Sequence, residues 1–195
     1  MPVDPAPGDP ARPEPTAVVP PGDGPWAGGT VLSSVTAPAA VLSTPCAEVD
    51  PADPTVTALA RDLVATMRAA PGCVGLAANQ VGVAARVFAL DVTGHPKARS
   101  CAGLVVLANP RLVAASQRKK GREGCLSVPD LTGDVARARR VTVAGVVPGR
   151  GEEVVVEADG FEAVAFQHEL DHLEGLLFLD RVAGAHALHA RRTYL

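Results

Sequence analysis

The chain has 195 residues, close to the usual size of one domain, so a single core is expected. Its 18 Lys and Arg against 21 Asp and Glu give a net charge of −3, which argues against general electrostatic binding of nucleic acid. Apolar residues at 47% rule out wholesale disorder, and aromatics at 3% mean that the core is built from Val, Leu and Ala.

The charge is uneven along the chain. Residues 1–60 carry one basic side chain, Arg12, and seven acidic ones, whereas residues 61–195 carry 17 basic and 14 acidic. Nine of the 18 prolines fall in residues 1–25, with no apolar period among them. Such a stretch buries too little surface to offset the entropy of ordering, so residues 1–28 are expected to form a flexible tail. Residues 29–195 are expected to form the folded domain. The N-terminus has neither a basic region nor an apolar run, and no stretch of about 18 apolar residues occurs anywhere. No export signal and no membrane span are therefore expected. Cys46, Cys73, Cys101 and Cys125 are irregularly spaced and do not read as a disulfide framework. A reducing cytoplasm fits, with a thiol free for chemistry.

From Pro54 onward Val56, Leu59, Ala60, Leu63, Val64 and Met67 recur on one helical face. Asp53 suits the N-cap, Pro54 the first helical position, and Pro71-Gly72 the end. Short Val-rich segments at 86–92, 103–108, 111–115, 140–147 and 152–157 read as strands. Residues 161–174 return to helical spacing, and 183–192 predicts a short C-terminal helix. The order predicts an α+β fold, with antiparallel sheets packed around a central helix.

That second helix carries Gln167-His168-Glu169-Leu170-Asp171-His172. Imidazoles at i and i+4 share a face and reach one metal ion, and Glu169 beside them reaches a water on that ion. A catalytic site of this kind wants a third protein ligand and one open position. The long metalloprotease pattern needs a third His at 178, which is Phe178, and no Glu follows Glu174; Asp180 is a weak candidate. Cys125, in Gly121-Arg-Glu-Gly-Cys125-Leu-Ser-Val-Pro129, is the better one, because a thiolate is stabilised beside a dication and glycines allow close approach. Two His and a thiolate by themselves suggest zinc. A third segment, Gly72 to Gly82, is rich in small residues that pack tightly against a cleft, and its Gln80 offers an amide N–H to a carbonyl.

In this order the three segments resemble those of the peptide deformylase family. Glu123-Gly124-Cys125-Leu126-Ser127 and Gln167 to His172 match its second and third motifs completely. Gly75, Ala77, Ala78 and Gln80 match the first, whose leading glycine is here Cys73. Val35-x-x-Pro38 and Val41-Leu42 look like the family's opening strand and turn, so the resemblance spans about residues 30–195.

The resemblance implies Cys125, His168 and His172 as ligands of one ion per chain. That ion would be Fe(II), with zinc or nickel as substitutes. It implies Glu169 as general acid and base, and Gln80 with the Leu126 N–H as donors to the reacting carbonyl. The implied reaction removes formyl from the N-terminal formyl-methionine of new polypeptides, in the cytoplasm. The expected partners are formyl-methionyl nascent peptides and the ribosome, without direct reading of nucleic acid. Val74, Gly75, Gly124, Val164 and Ala165 are expected to bind substrate, with Val74, Val164, Ala165 and the His168 ring as walls of the methionine pocket by their positions beside the motifs. Arg137 and Asp171 are expected to support the site from outside. The competing readings are a zinc endopeptidase and a non-catalytic folded domain that keeps metal only for structure or binds ribosomes or nascent chains.

Overall fold

The computed structural model describes residues 24–191. Helix α1, Pro54–Ala69, starts where the capping residues place it: Asp53 accepts a 2.8 Å bond from the Thr55 N–H, and Pro54 follows. Its buried face is Val56, Ala60, Leu63, Val64 and Met67. This face packs on two strands, β1 (Gly75–Ala77) and β2 (Val87–Leu90).

The sheet is antiparallel and ordered β1-β2-β3-β4-β5, with β3 at Val105–Cys125, β4 at Val128–Val146 and β5 at Glu153–Asp159. Helix α2, Gly160–Leu173, follows β5 directly. Gly160 makes that junction at a φ of +64°, a left-handed conformation that costs glycine little. Phe166 of α2 meets Phe88 of β2 edge to face at 5.9 Å. These rings join Leu63, Leu76, Val143 and Val156 in the main core. A smaller apolar cluster, with Leu42, Val135 and Phe178, surrounds Cys125. The mixed α+β class with an antiparallel sheet is thus as expected.

The differences have local causes. The segments expected at 103–108 and 111–115 are the first part of β3, interrupted by irregular pairing between Ala108 and Arg111. The rest of β3 and the first half of β4 form a long hairpin that the sequence does not announce, because residues 111–122 are exposed and do not alternate. The helix expected at 183–192 does not form in the described residues. Gly184 adopts a φ of +149°, outside helical space, and Ala185–Ala187 make one 3-10 turn. Leu188–Ala190 then form β6, which pairs with Leu131–Gly133 of β4. The opening segment forms no strand: Val35 donates its N–H to the Gln80 carbonyl at 2.7 Å, and Ala40–Ser43 make a 3-10 turn. The tail expectation over residues 1–28 falls mostly on 1–23, outside the described residues. Its end is corrected, since Gly24–Trp26 form a 3-10 turn and Trp26 is 2% exposed in the main core.

Candidate metal centre and active site

The turn of the long hairpin and the last two turns of α2 meet. Cys125 ends β3, and His168 and His172 lie one turn apart on α2, with ring centroids 4.9 Å apart. Ligand atoms of all three fall within 4.8 Å of one another. The Cys125 Sγ is 3.2 Å from the His172 Nε2. The His168 Nδ1 contacts the Glu123 Oε2 at 2.9 Å, which leaves its Nε2 for the centre. A thiolate and two imidazoles suit a borderline-soft divalent ion and leave a position open. Buried without a hydrogen-bond partner, the Glu169 Oε2 marks the centre as built around something more than these side chains.

The electrostatics agree with this. Burial pushes the Cys125 thiol up, but the charge of His172 and hydrogen bonds from His168 and His172 outweigh it and hold the thiol well below its ordinary range. Burial opposes a charge on His168, yet hydrogen bonds to Cys125 and Glu123 raise its pKa well above the usual imidazole range. Protons thus sit where a divalent ion would take their place. Burial raises Glu169 to about 7, against the pull of His168 and His172.

The remaining expected residues converge too. Val74, Gly75, Gln80, Gly124, Leu126, Val164 and Ala165 line one cleft of about 270 Å³ with Cys125, His168 and Glu169. The fully buried His172 sits behind it. Gln80 has its Oε1 fixed by the Ala77 N–H at 2.9 Å, so its Nε2 faces Cys125 and Ser127 at 3.3 Å each. Leu126 lies in the two-residue turn between β3 and β4. Gly75 is required by proximity, since a Cβ there would come 2.8 Å from the Glu169 carboxyl carbon. Asp180, the weak alternative ligand, instead accepts the Leu177 N–H at 2.8 Å, and Phe178 is buried in the small cluster.

Two supporting roles were not assigned from sequence. Glu123 is buried and receives Arg137 through Nε at 2.8 Å and Nη2 at 3.0 Å while it holds His168. Burial opposes its charge, but His168 and Arg137 bring its pKa down to about 2. Arg137 also pairs with Asp171, and Asp171 is held by Arg181 as well. The signal for Glu123 was its place two residues before the thiol. Its bond to His168 depends on how the hairpin meets α2. Ser127, also buried, donates its N–H to the Cys125 Sγ at 3.3 Å.

A buried thiolate and two histidines beside an acid of raised pKa, in a cleft with amide donors, define a metal-dependent hydrolase site. Polypeptide deformylase is the family whose model matches, over residues 31–187, and the chain belongs to it. A peptide deformylase of Halothermothrix orenii is 50% identical over 121 residues, covering 62% of this chain and 73% of that protein. One of Aquifex aeolicus is 42% identical over 147 residues, covering 75% and 85%. Among solved structures, the Thermotoga maritima peptide deformylase superposes with a TM-score of 0.70 at 32% identity, over 79% of this chain and 99% of that one. The Met-Ala-Ser-bound enzyme of Acinetobacter baumannii gives 0.70 at 34%, over 79% and 99%. The chain is therefore a metallohydrolase whose reaction removes the N-terminal formyl group from nascent polypeptides. No helix among the described residues is long and apolar enough to cross a membrane.

Proposed function

We propose that residues 29–195, with Trp26 packed against them, form the catalytic domain, and that α2 is its central metal-binding helix. Cys125, His168 and His172 hold one divalent ion, Fe(II) by family resemblance, which zinc or nickel can replace. When bound, the ion supplies Lewis acidity, making water acidic enough to ionise near neutral pH and polarising the formyl oxygen. The observation that carries this reading is the convergence of three ligand atoms within 4.8 Å beside the unpartnered Glu169 Oε2.

The protein's own groups divide the work. Glu169 accepts the proton of the attacking water, whose oxygen bonds to the formyl carbon. The Gln80 Nε2 and the Leu126 N–H donate to the carbonyl oxygen as it gains charge. Glu169 then returns the proton to the amine nitrogen as the C–N bond breaks, releasing formate. A pKa near 7 suits an acid that must do both. Gly124 contributes backbone to the substrate cleft, the space of its missing side chain being taken by the Arg191 guanidinium. Val74, Gly75, Val164, Ala165 and the ring of His168 enclose the methionine side chain. β1 is the edge strand of the sheet, so an extended peptide can pair along it beside Gly75. Nascent formyl-methionyl chains are the substrate, met in the cytoplasm at the ribosome.

The test is formate release from formyl-Met-Ala-Ser alongside metal analysis of the same sample. One equivalent of metal with steady release is expected. Stoichiometric metal without release would leave only a structural centre.

A further inference from the structure

The face of α2 that carries His168 continues beyond the metal centre. Phe161, Val164, Ala165 and His168 follow one another at i, i+3, i+4 and i+7, and all line the cleft. With Cys73 and Val74 they make its apolar side, whereas Arg122, Thr132 and Arg191 are polar. The stripe ends at Phe161, since α2 begins at Gly160. There the His95 ring lies flat on the Phe161 ring, with centroids 4.0 Å apart and planes 7° apart, and it lines the cleft as well. His95 belongs to the loop between β2 and β3, and that loop is fastened to the start of α2. The His95 Nδ1 accepts the Lys97 N–H at 3.2 Å, which holds the ring, and Ala98 bridges to Gly160. Glu162, a fully buried carboxylate with no part in the reaction, accepts the Ser100 Oγ–H at 2.6 Å and the Ala102 N–H at 2.7 Å. These charge-assisted bonds tie the loop to the first turn of α2 and so fix the two rings against each other.

A methionine side chain is apolar and goes to the apolar side of the cleft, whichever way the rest of the peptide leaves. Seven residues of helix at about 1.5 Å each put Phe161 roughly 10 Å along the axis from His168. A formyl-methionine extended from its formyl carbon to its terminal methyl reaches roughly 7–8 Å. With the formyl carbon at the level of His168, the methyl comes within about one van der Waals contact of the ring pair, with no room for further carbon. We infer that the His95–Phe161 stack is the end wall of the methionine pocket and sets the longest first side chain this enzyme accepts, with His95 as a specificity-determining residue supplied from outside α2. The inference rests on the deformylase reading of the cleft and adds a length limit to it. A fixed wall rejects extra methylenes, because the packed rings cannot move aside without loosening the loop. A mobile one would reward them, since each buried methylene is favourable.

The metal-loaded full chain is assayed on formyl-Met-Ala-Ser, on formyl-norleucyl-Ala-Ser, whose side chain matches methionine in length, and on formyl-2-aminooctanoyl-Ala-Ser, whose side chain is longer. The long peptide should fall below the norleucyl one in kcat/KM by roughly tenfold or more, the penalty of overfilling a closed pocket. His95→Ala and Phe161→Ala should each raise the long-to-norleucyl ratio by about fivefold or more. His95→Phe, which keeps a ring on Phe161, should restore the limit. A ratio near or above one in the unmutated chain overturns the inference and leaves the deformylase reading intact. So does a ratio that neither alanine variant moves, with all three peptides losing activity in proportion, since that is loop damage alone. Failure of the unmutated chain on formyl-Met-Ala-Ser sinks that reading and the inference with it.

Discussion

Glu169 and Cys125 share one buried pocket and carry opposite proton preferences. Burial lifts the carboxylic acid to about 7, while neighbouring imidazoles hold the thiol well below its usual value. The acid is thus suited to proton transfer and the sulfur to coordination. Glu169→Gln should keep metal content and lower the rate of formate release by roughly 10²–10⁴-fold, mostly in kcat. Metal by atomic emission beside steady-state kinetics checks it; full activity with metal bound would remove Glu169 from the mechanism. Cys125→Ser should lose most metal, because a hydroxyl is a harder donor that ionises less readily, while Cys101→Ser at an exposed position should keep it. Equal losses in both would point to general folding damage. Glu123→Gln removes the charge behind the contact that fixes the His168 ring and leaves Arg137 one carboxylate short. Metal affinity should then fall by about 10–100-fold in competition with a chelating dye. The shared face of His168 and His172 was legible because helical spacing is local: residues at i and i+4 lie together wherever the helix packs. Cys125 was preferred as the third candidate because position 178 is Phe and no Glu follows Glu174, with Asp180 only a weak alternative. Glu123 and Arg137 were not legible as a pair holding His168, because they join only across the hairpin register and its meeting with α2.

Elements were readable where periodicity and capping coincide, as in α1, and unreadable where tertiary pairing supplies the order. The outer half of β3 runs through Gln117-Arg118-Lys119-Lys120, residues with no apolar face to bury, and is a strand because β4 pairs with it. At the C-terminal end, Gly184 denies a helix and Leu188–Ala190 find hydrogen bonds on β4 instead. That placement brings Arg191 to the active-site rim, a consequence no local pattern announces. The start of the domain shows the opposite error. Proline density carried the tail expectation through residue 28, yet Trp26 packs against α1 and Pro25 accepts the Arg61 Nε–H at 2.9 Å. Trp26→Ala removes a large side chain from a closed site and should cost about 3–5 kcal/mol in denaturant unfolding. A change under about 0.5 kcal/mol would show that the folded domain does not depend on this turn.

For the molecule as a whole, the metal centre and the main core are separate contributors to stability. The core joins α1, α2 and the sheet through Leu63, Met67, Phe88 and Phe166, none of which touches the ligand set directly through a polar bond. Cys125 belongs instead to the smaller cluster. With the ion removed, the proton favoured on His168 offsets the charge of the Cys125 thiolate, so the centre does not leave a bare anion in the interior. The chain should therefore stay folded when chelated, unlike small domains whose fold depends on zinc. Bound metal adds stability by mass action, about 4.1 kcal/mol at a free concentration 1,000 times Kd. For a domain of this size each kcal/mol moves the midpoint by roughly 2–4 °C, so stripping the ion should lower Tm by about 8–16 °C under those conditions. Scanning calorimetry on chelated and reloaded protein measures this, with far- and near-ultraviolet circular dichroism on the same samples. A single cooperative transition at the lower temperature, restored on reloading, is the expected result. Loss of the near-ultraviolet signal on chelation would show instead that the hairpin and α2 depend on the ion to hold them together, and that the core alone does not fix the site.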